Sequence, residues 1–440
     1  MEAPNPPIAD NQLEMALRTQ TALPTPFPAN AAIGANGGIE VAGCDLEEVA
    51  RTFGTPAYVV DEAQLREQAR AYLEAVRATV GERGRIAFAA KAFPATPVLA
   101  VFAEEGLCCD VASGGELELA LAAGFAPERL ILHGNAKSVV ELRRALEVGV
   151  GLIVVDNLDE LERLAALVGE QPRRYPQQIL LRATPAVSGQ THAKISTGQA
   201  DSKFGFALGQ LPEAIDRARS IGGLELVGLH AHIGSQLLDL APFEEAVAAV
   251  APYGPFPVWD LGGGLGVPYL DGQAAPSIPQ YVGAVGGKAK ELLGGFELLY
   301  LEPGRSLTAN ACLTLYTVES VKRNVSLYVA VDGGMSDNLR PMLYGAPYEA
   351  HIVTRPFGST PCVVVGKHCE SGDVIVKEAR LDQPRAGDLL CTPATGAYTY
   401  AMANNYNGAL RPPVIFCSEG QARVVVRRER YDELLARDVR

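Results

Sequence analysis

The stretch Ile86-Ala-Phe-Ala-Ala-Lys-Ala92 decides the fold. It is a short, nearly unbroken apolar run with one lysine near its end. A strand buried on both faces looks like this, because neither side can carry charge cheaply. Seven more runs of the same texture follow: Cys108–Ser113, Leu130–Gly134, Leu152–Asp156, Ile179–Ala183, Leu226–Gly234, Val258–Gly264 and Leu298–Gly304. Amphipathic stretches lie between them, such as Glu116–Ala123, Val139–Val148 and Leu158–Val168. In Val139–Val148, apolar Val139, Leu142, Leu146 and Val148 alternate with charged residues near helical spacing. Eight strand–helix units within about 220 residues predict a parallel (β/α)8 barrel. A doubly wound open sheet is the competing architecture. The run ends favour the barrel: Lys91, Ser113, His133 and Asn135, Asp156, Arg182, His232 and Ser235, Gly262–Gly264, then Glu302 and Arg305. In a barrel these ends meet on one face, where barrel active sites lie.

Beyond residue 310 the texture changes. Leu313–Val321, Tyr328–Val331, Cys362–Val365, Val374–Val376 and Arg423–Arg427 read as strands rich in Val and Thr, with a helical pattern only near Tyr431–Arg437. The expected class is α/β, a (β/α)8 barrel followed by a mostly antiparallel β-sandwich or barrel domain. Residues 1–38 hold six prolines and one basic residue, Arg18, and read as a flexible proline-rich arm. Gln12–Arg18 has the pattern of one or two helical turns. Residues 39–60, notably Ala57–Val60, are expected to add a strand to the C-terminal domain. The barrel is expected over 61–310 and the β domain over 311–440.

Composition narrows the partners. The 440 residues carry 38 Lys and Arg against 51 Asp and Glu, a formal charge of −13. That balance argues against a general nucleic-acid binder. No apolar run approaches the roughly 18–20 residues that span a bilayer. Eight cysteines without Cys-x-x-Cys spacing suggest free thiols in a reducing, cytoplasmic setting. The arm lacks the features of a signal or transit peptide.

Several segments carry chemistry. Lys91 sits among small apolar neighbours, where burial favours the neutral amine. It reads either as a nucleophile for a carbonyl or as the partner of a buried carboxylate. Asp260-Leu-Gly-Gly-Gly-Leu-Gly266 fits a phosphate cradle or a tight turn; it matches neither the P-loop nor the dinucleotide fingerprint. Glu302-Pro-Gly-Arg305 places an acid for a cationic ring nitrogen beside a cation for a phosphate, unless the two pair with each other. In His230-Ala-His-Ile-Gly-Ser235 the two histidines share a strand face. No acidic or Cys cluster accompanies them in the sequence, so no metal is expected. One histidine lying flat on an aromatic cofactor, with Ser235 on its phosphate, is the better reading. Cys369-Glu-Ser-Gly-Asp373 offers a proton donor or a structural thiol.

Together these features describe a pyridoxal phosphate site. The chain from about residue 50 to its C-terminus resembles the diaminopimelate decarboxylases, within the fold-type III group of ornithine and arginine decarboxylases. The motifs are Phe88-Ala-Ala-Lys-Ala92, Asp110-Val-Ala-Ser-Gly-Gly-Glu-Leu117, His133-Gly-Asn-Ala-Lys-Ser138, Thr197-Gly198 with Ser202-Lys-Phe-Gly205, and His232-Ile-Gly-Ser-Gln236. Gly262–Gly264, Glu302-Pro-Gly-Arg305, Arg340-Pro-Met-Leu-Tyr344, Cys369-Glu-Ser-Gly-Asp373, Gly396-Ala-Tyr398 and Asn405-Tyr-Asn407 complete the set. The arm and Arg411-Pro-Pro-Val414 depart from the family pattern.

The resemblance implies roles. Lys91 would carry pyridoxal 5'-phosphate, His232 would stack on its ring, and Glu302 would pair with the ring nitrogen. Ser235, Gly262, Gly263, Gly264, Pro303, Gly304, Arg305 and Tyr398 would surround the cofactor. Arg305, Arg340, Tyr344, Glu370 and Tyr398 would hold the amino-acid substrate. Cys369 would donate a proton from the partner subunit, so an obligate homodimer with active sites at its interface is implied. The implied reaction is decarboxylation of meso-2,6-diaminopimelate to L-lysine, the last step of lysine biosynthesis. Arg340 suits a distal carboxylate and Glu370 a distal ammonium. A related ornithine, arginine or carboxynorspermidine decarboxylase is the alternative. A non-catalytic regulator of the same fold should lack Lys91 or Cys369, and both are present.

Overall fold

The computed structural model describes residues 23–170, 174–187 and 202–439. Thr197, Gly198 and Gln12–Arg18 lie outside these residues.

Each of the eight apolar runs becomes a parallel strand: Gly84–Ala89, Cys108–Val111, Leu130–Leu132, Leu152–Val155, Gln177–Thr184, Leu224–Ala231, Val258–Asp260 and Leu298–Leu301. They pair in chain order. The ring closes where Leu299 meets Gly84 and Tyr300 meets Arg85. The pleat divides each run. Ala87, Ile131, Val154, Leu180 and Val227 form one buried cluster. Their neighbours Phe88, Leu132, Ile153 and Leu181 pack with helix residues such as Phe102, Leu117, Leu142 and Leu161. Burying each such leucine contributes roughly 1.5–3 kcal/mol.

The helices start and stop on local signals. Ser138 and Glu141 form a reciprocal capping box before helix Val139–Val148, which Gly149 ends at φ 80°. This helix buries Leu142 and Ala145. Val139, expected on the apolar face, lies in the first turn and is 44% exposed. Ser113 caps helix Gly114–Ala122 by accepting from Glu116 N–H.

The second sheet centres on Cys312–Arg323. It pairs antiparallel with Leu327–Val331, Leu389–Pro393 and Ala57–Asp61. Ala57–Asp61 also pairs in parallel with Val414–Ser418. A segment that precedes the barrel thus lies inside the sheet that follows it. Antiparallel pairs of Thr360–Val365 with Val374–Leu381 and of Val414–Ser418 with Gln421–Val426 extend this domain.

The N-terminal region differs from the expected arm. Within residues 23–45, Ala31–Ile33, Ile39–Val41 and Cys44–Asp45 form a small antiparallel sheet. Phe27 is buried edge-on to His351, and Ile39 N–H donates to Val353 O at 3.0 Å. Phe27, within the segment whose average composition reads as unstructured, packs with Ile39 and Val41 just beyond it and anchors it. Among the described residues no helix is long and apolar enough to cross a membrane.

Barrel closure leaves no room at Gly228. A Cβ there would lie 1.7 Å from Val258 O on the next strand. Gly228→Ala is expected to cost about 2–3 kcal/mol or more by overpacking. Urea unfolding checks this; an unchanged midpoint would contradict it.

Candidate active site

The C-terminal strand ends converge on a buried group of charged side chains. Lys91 lies in the tight turn Ala90–Ala92, directly after the first barrel strand. Its ammonium pairs with Asp110 Oδ2, from the end of the second strand. His133, after the third strand, sits between Asp110 and Glu302. Its Nε2 is 2.6 Å from Glu302 Oε1 and 3.8 Å from Asp110 Oδ1. His230 Nε2 approaches Glu302 Oε2 at 3.3 Å, and the His133 and His230 rings meet edge-on at 4.8 Å. Asp260 completes the group: its Oδ1 accepts from Gly262 N–H at 2.9 Å, while Oδ2 is buried without a hydrogen-bond partner.

The electrostatics follow from this packing. Burial works to lower Lys91, but Asp110, Tyr398 and Glu302 together hold its ammonium above the usual range. Burial would raise Asp110, yet Lys91 and His133 hold it down to about 2. Burial likewise opposes a charged His133, and Glu302 and Asp110 outweigh it and raise its pKa. His230 and His232 are driven down chiefly by burial, so both are neutral imidazoles. Burial, then the Glu302 charge, pushes Asp260 up to about 8.

The glycine loop and the Glu302 strand lock together. Glu302 N–H donates to Gly262 O at 2.7 Å. A Cβ on Gly263 would lie 2.1 Å from Glu302 O. Gly263 N–H donates to His232 Nδ1 at 3.2 Å, which leaves the ring proton on Nε2. Pro303 O accepts from Ala89 N–H at 3.1 Å, and a Cβ on Gly304 would press on Ala89 and Ala92. These contacts seat Glu302 and Lys91 on adjoining strands.

Arg305 does not pair with Glu302. Its guanidinium donates to Ser235 Oγ at 3.0 Å and to the Tyr269 hydroxyl at 2.5 Å, and lies 4.9 Å from the Tyr398 ring centre. Tyr398 comes from the β domain and holds φ 63°, a left-handed conformation that costs a non-glycine residue about 1–3 kcal/mol. Its N–H donates to Ala92 O at 2.8 Å, next to Lys91. Arg340 is buried against Tyr348 and Tyr269. The Tyr344 hydroxyl approaches Met402 sulfur at 3.9 Å.

Among the described residues no hydrogen bond or ion pair joins Cys369 or Glu370 to this group. They lie in an exposed turn of the β domain, where Cys369 N–H donates to Asn407 Oδ1 at 3.1 Å. Asp373 fixes the turn by accepting from the His368 and Met335 amides.

One expectation is corrected. In space His230 does have acidic company: with His133, Asp260 and Glu302 its ligand atoms lie within 4.8 Å of one another. The acids come from neighbouring strands, so spacing along one segment hides them. Sequence reasoning also passed over Asp110 as the partner of Lys91, and over Tyr269 and Tyr348. Asp110 and Asp260 each lie at or near the end of an apolar run, and that position was the available signal.

The donor set suits an aromatic aldehyde phosphate. Lys91 supplies an amine and Glu302 a buried acid. Arg305, with Ser235, supplies a buried cation that has no carboxylate partner among the described residues.

The comparisons match this geometry. Residues 62–309 match the family model for the pyridoxal-dependent decarboxylase, pyridoxal binding domain. The diaminopimelate decarboxylase of Actinosynnema pretiosum subsp. auranticum is 44% identical over 92% of this chain and 93% of its own length. That of Bacillus subtilis is 42% identical over 92% and 96%. The crystal structure of diaminopimelate decarboxylase from M. jannaschii in co-complex with L-lysine superposes with a TM-score of 0.87 at 31% identity. It covers 94% of this chain and 98% of that one. Barrel, β domain and strand-end site thus define a pyridoxal-dependent decarboxylase fold. Within that class, the chain belongs to the diaminopimelate decarboxylase family.

Asp260 yields a pH prediction. Its folded pKa is raised to about 8 from 3.8. The folded form therefore keeps a proton that the unfolded chain releases, and stability falls as pH rises through that window. Asp260→Asn should flatten the loss of stability between pH ~6 and ~8 in the cofactor-free protein. Urea midpoints at the two pH values measure it; an equally steep loss would count against a protonated Asp260.

Proposed function

We propose that this chain decarboxylates meso-2,6-diaminopimelate at its D-centre to L-lysine and carbon dioxide. Pyridoxal 5'-phosphate is the cofactor, the reaction is the last step of lysine biosynthesis, and the setting is cytoplasmic. One observation carries the reading. The amine of Lys91 and the acid of Glu302 share a strand-end face with Arg305, and Arg305 and Arg340 are both buried without a carboxylate partner among the described residues. A cofactor phosphate and a distal substrate carboxylate match two waiting guanidiniums.

When bound, the cofactor supplies an aldehyde for amines and an electron sink for the pair left by carbon dioxide. The chain's own residues do the rest. Lys91 Nζ would hold the cofactor through its aldehyde, and Asp110 Oδ2 orients Nζ toward it. Glu302 holds a proton at the ring nitrogen. His133 and His230 fix its carboxylate from two sides. His232, a neutral ring fixed by Gly263, forms a flat wall for the cofactor. Ser235, Arg305 and the amides of Gly262–Gly264 hold the phosphate end. Arg340 holds the distal carboxylate, Glu370 the distal ammonium, and Tyr344 and Tyr398 flank them. Cys369 protonates the carbon that loses carbon dioxide. Cys369 is exposed on the β domain, which supports donation to a partner's site and hence a homodimer.

Lys91→Ala should lose the cofactor's visible absorbance band and release no carbon dioxide from meso-diaminopimelate. An unchanged spectrum, or release from ornithine instead, would reject the assignment. The shared site predicts subunit complementation. Inactive Lys91→Ala and Cys369→Ala proteins, mixed and allowed to exchange, should regain about a quarter of native activity, because half the dimers then carry one intact site. No recovery after verified exchange would place Cys369 in its own subunit's site.

A further inference from the structure

We propose that Tyr269 and Tyr348 are positioning residues that select a substrate bearing a second carboxylate. The proposal rests on the decarboxylation reading above and adds the means by which the distal end is chosen. Arg305 and Arg340 are only 5% and 4% exposed. Among the described residues, phenols and one serine hydroxyl supply their hydrogen-bond acceptors. Arg305 Nη1 donates to the Tyr269 hydroxyl at 2.5 Å, and Arg340 Nη1 donates to the Tyr348 hydroxyl. The Arg340 guanidinium lies 4.5 Å from the centre of the Tyr269 ring, and its Nε is buried without a hydrogen-bond partner. The two phenol rings meet edge to face, their centres 5.3 Å apart.

A buried cation without an anion is costly. A resident carboxylate would remove that cost, but it would also fill the site and repel an incoming carboxylate. A phenol avoids both outcomes. Its oxygen accepts a hydrogen bond and its ring face attracts a cation, yet it remains formally neutral. Tyr269 touches both arginines and so fixes their spacing. Burial would raise its pKa, but Arg305 and Arg340 outweigh burial and lower it, which strengthens its oxygen as an acceptor. Tyr348 is instead raised by burial and stays a phenol. The pair holds both guanidiniums in place while leaving Arg340 in need of an anion. A ligand without the distal carboxylate leaves that need unmet and gains nothing from the arrangement.

The test uses the cofactor-loaded full chain and calorimetric binding of two ligands. L-Lysine keeps the distal carboxylate; cadaverine is the same skeleton without it. Native protein should bind L-lysine more tightly. Tyr269→Phe keeps the ring and removes the shared oxygen. Its affinity for L-lysine should fall about tenfold, the scale of one hydrogen bond to a charged group, with cadaverine affinity within about twofold of native. Tyr348→Phe should show the same pattern, which guards against a folding defect in the first variant. Equal weakening of both ligands, or unchanged L-lysine affinity in both variants, would overturn the proposal. Native protein that binds the two ligands alike would overturn the decarboxylation reading, and this proposal with it.

Discussion

The site depends on a chain of charges: half-exposed Lys91 to buried Asp110, then His133, then Glu302. Asp110, His133 and Glu302 do not tolerate isolation in a dry interior, where an unpaired charge costs several kcal/mol. Each comes from the end of a different barrel strand. Only ring closure brings the eighth strand beside the first and lets the chain of contacts form. The contacts explain why glycine follows the seventh strand. Gly262 and Gly263 let that loop lie against the Glu302 backbone, and a side chain at Gly263 would push the acid away. The same loop fixes His232 through Gly263 N–H.

The barrel was legible because both faces of each strand are buried, which leaves a run of apolar letters with polar ends. Lys91, His232, Glu302 and Arg305 were legible because each terminates such a run. Pairings were not. Lys91 to Asp110 and His133 to Glu302 join residues 19 and 169 positions apart. No local pattern marks those distances. The strands Leu389–Pro393 and Val414–Ser418 escaped notice for a related reason. They are short, flanked by proline or turn residues, and buried through pairing with Cys312–Arg323 and Ala57–Asp61. The order within residues 23–38 was hidden by averaging, since Phe27 alone does not alter the composition of the proline-rich segment, and its packing partners Ile39 and Val41 lie just beyond it.

The insertion of Ala57–Asp61 into the second sheet ties the two halves of the chain together. Tyr58, on that strand, donates to Asp337 O at 2.6 Å, and Tyr316 of the central strand donates to Asp337 Oδ1 at 2.6 Å. Asp337 also accepts from Gly334 N–H, and burial pushes its carboxyl up to about 7. This knot holds the loop that leads to Arg340. Tyr398 makes the second tie, from the β domain to Ala92 beside Lys91. The β domain therefore presents Arg340 and Tyr398 at positions set by the barrel.

The net charge of −13 gives no hint of a site that attracts anions. Exposed charges act over a screening length of about 8 Å in physiological salt. Most of the acidic excess is therefore silent at the barrel mouth. What acts there is the local balance: Arg305 and Arg340 meet phenols and a serine, while the nearby acids are already committed to Lys91 and His133. Pairing the acids first leaves the two guanidiniums free for a ligand. On the proposed function, an acidic protein can thus hold a dianionic cofactor and a dicarboxylate substrate without a basic surface.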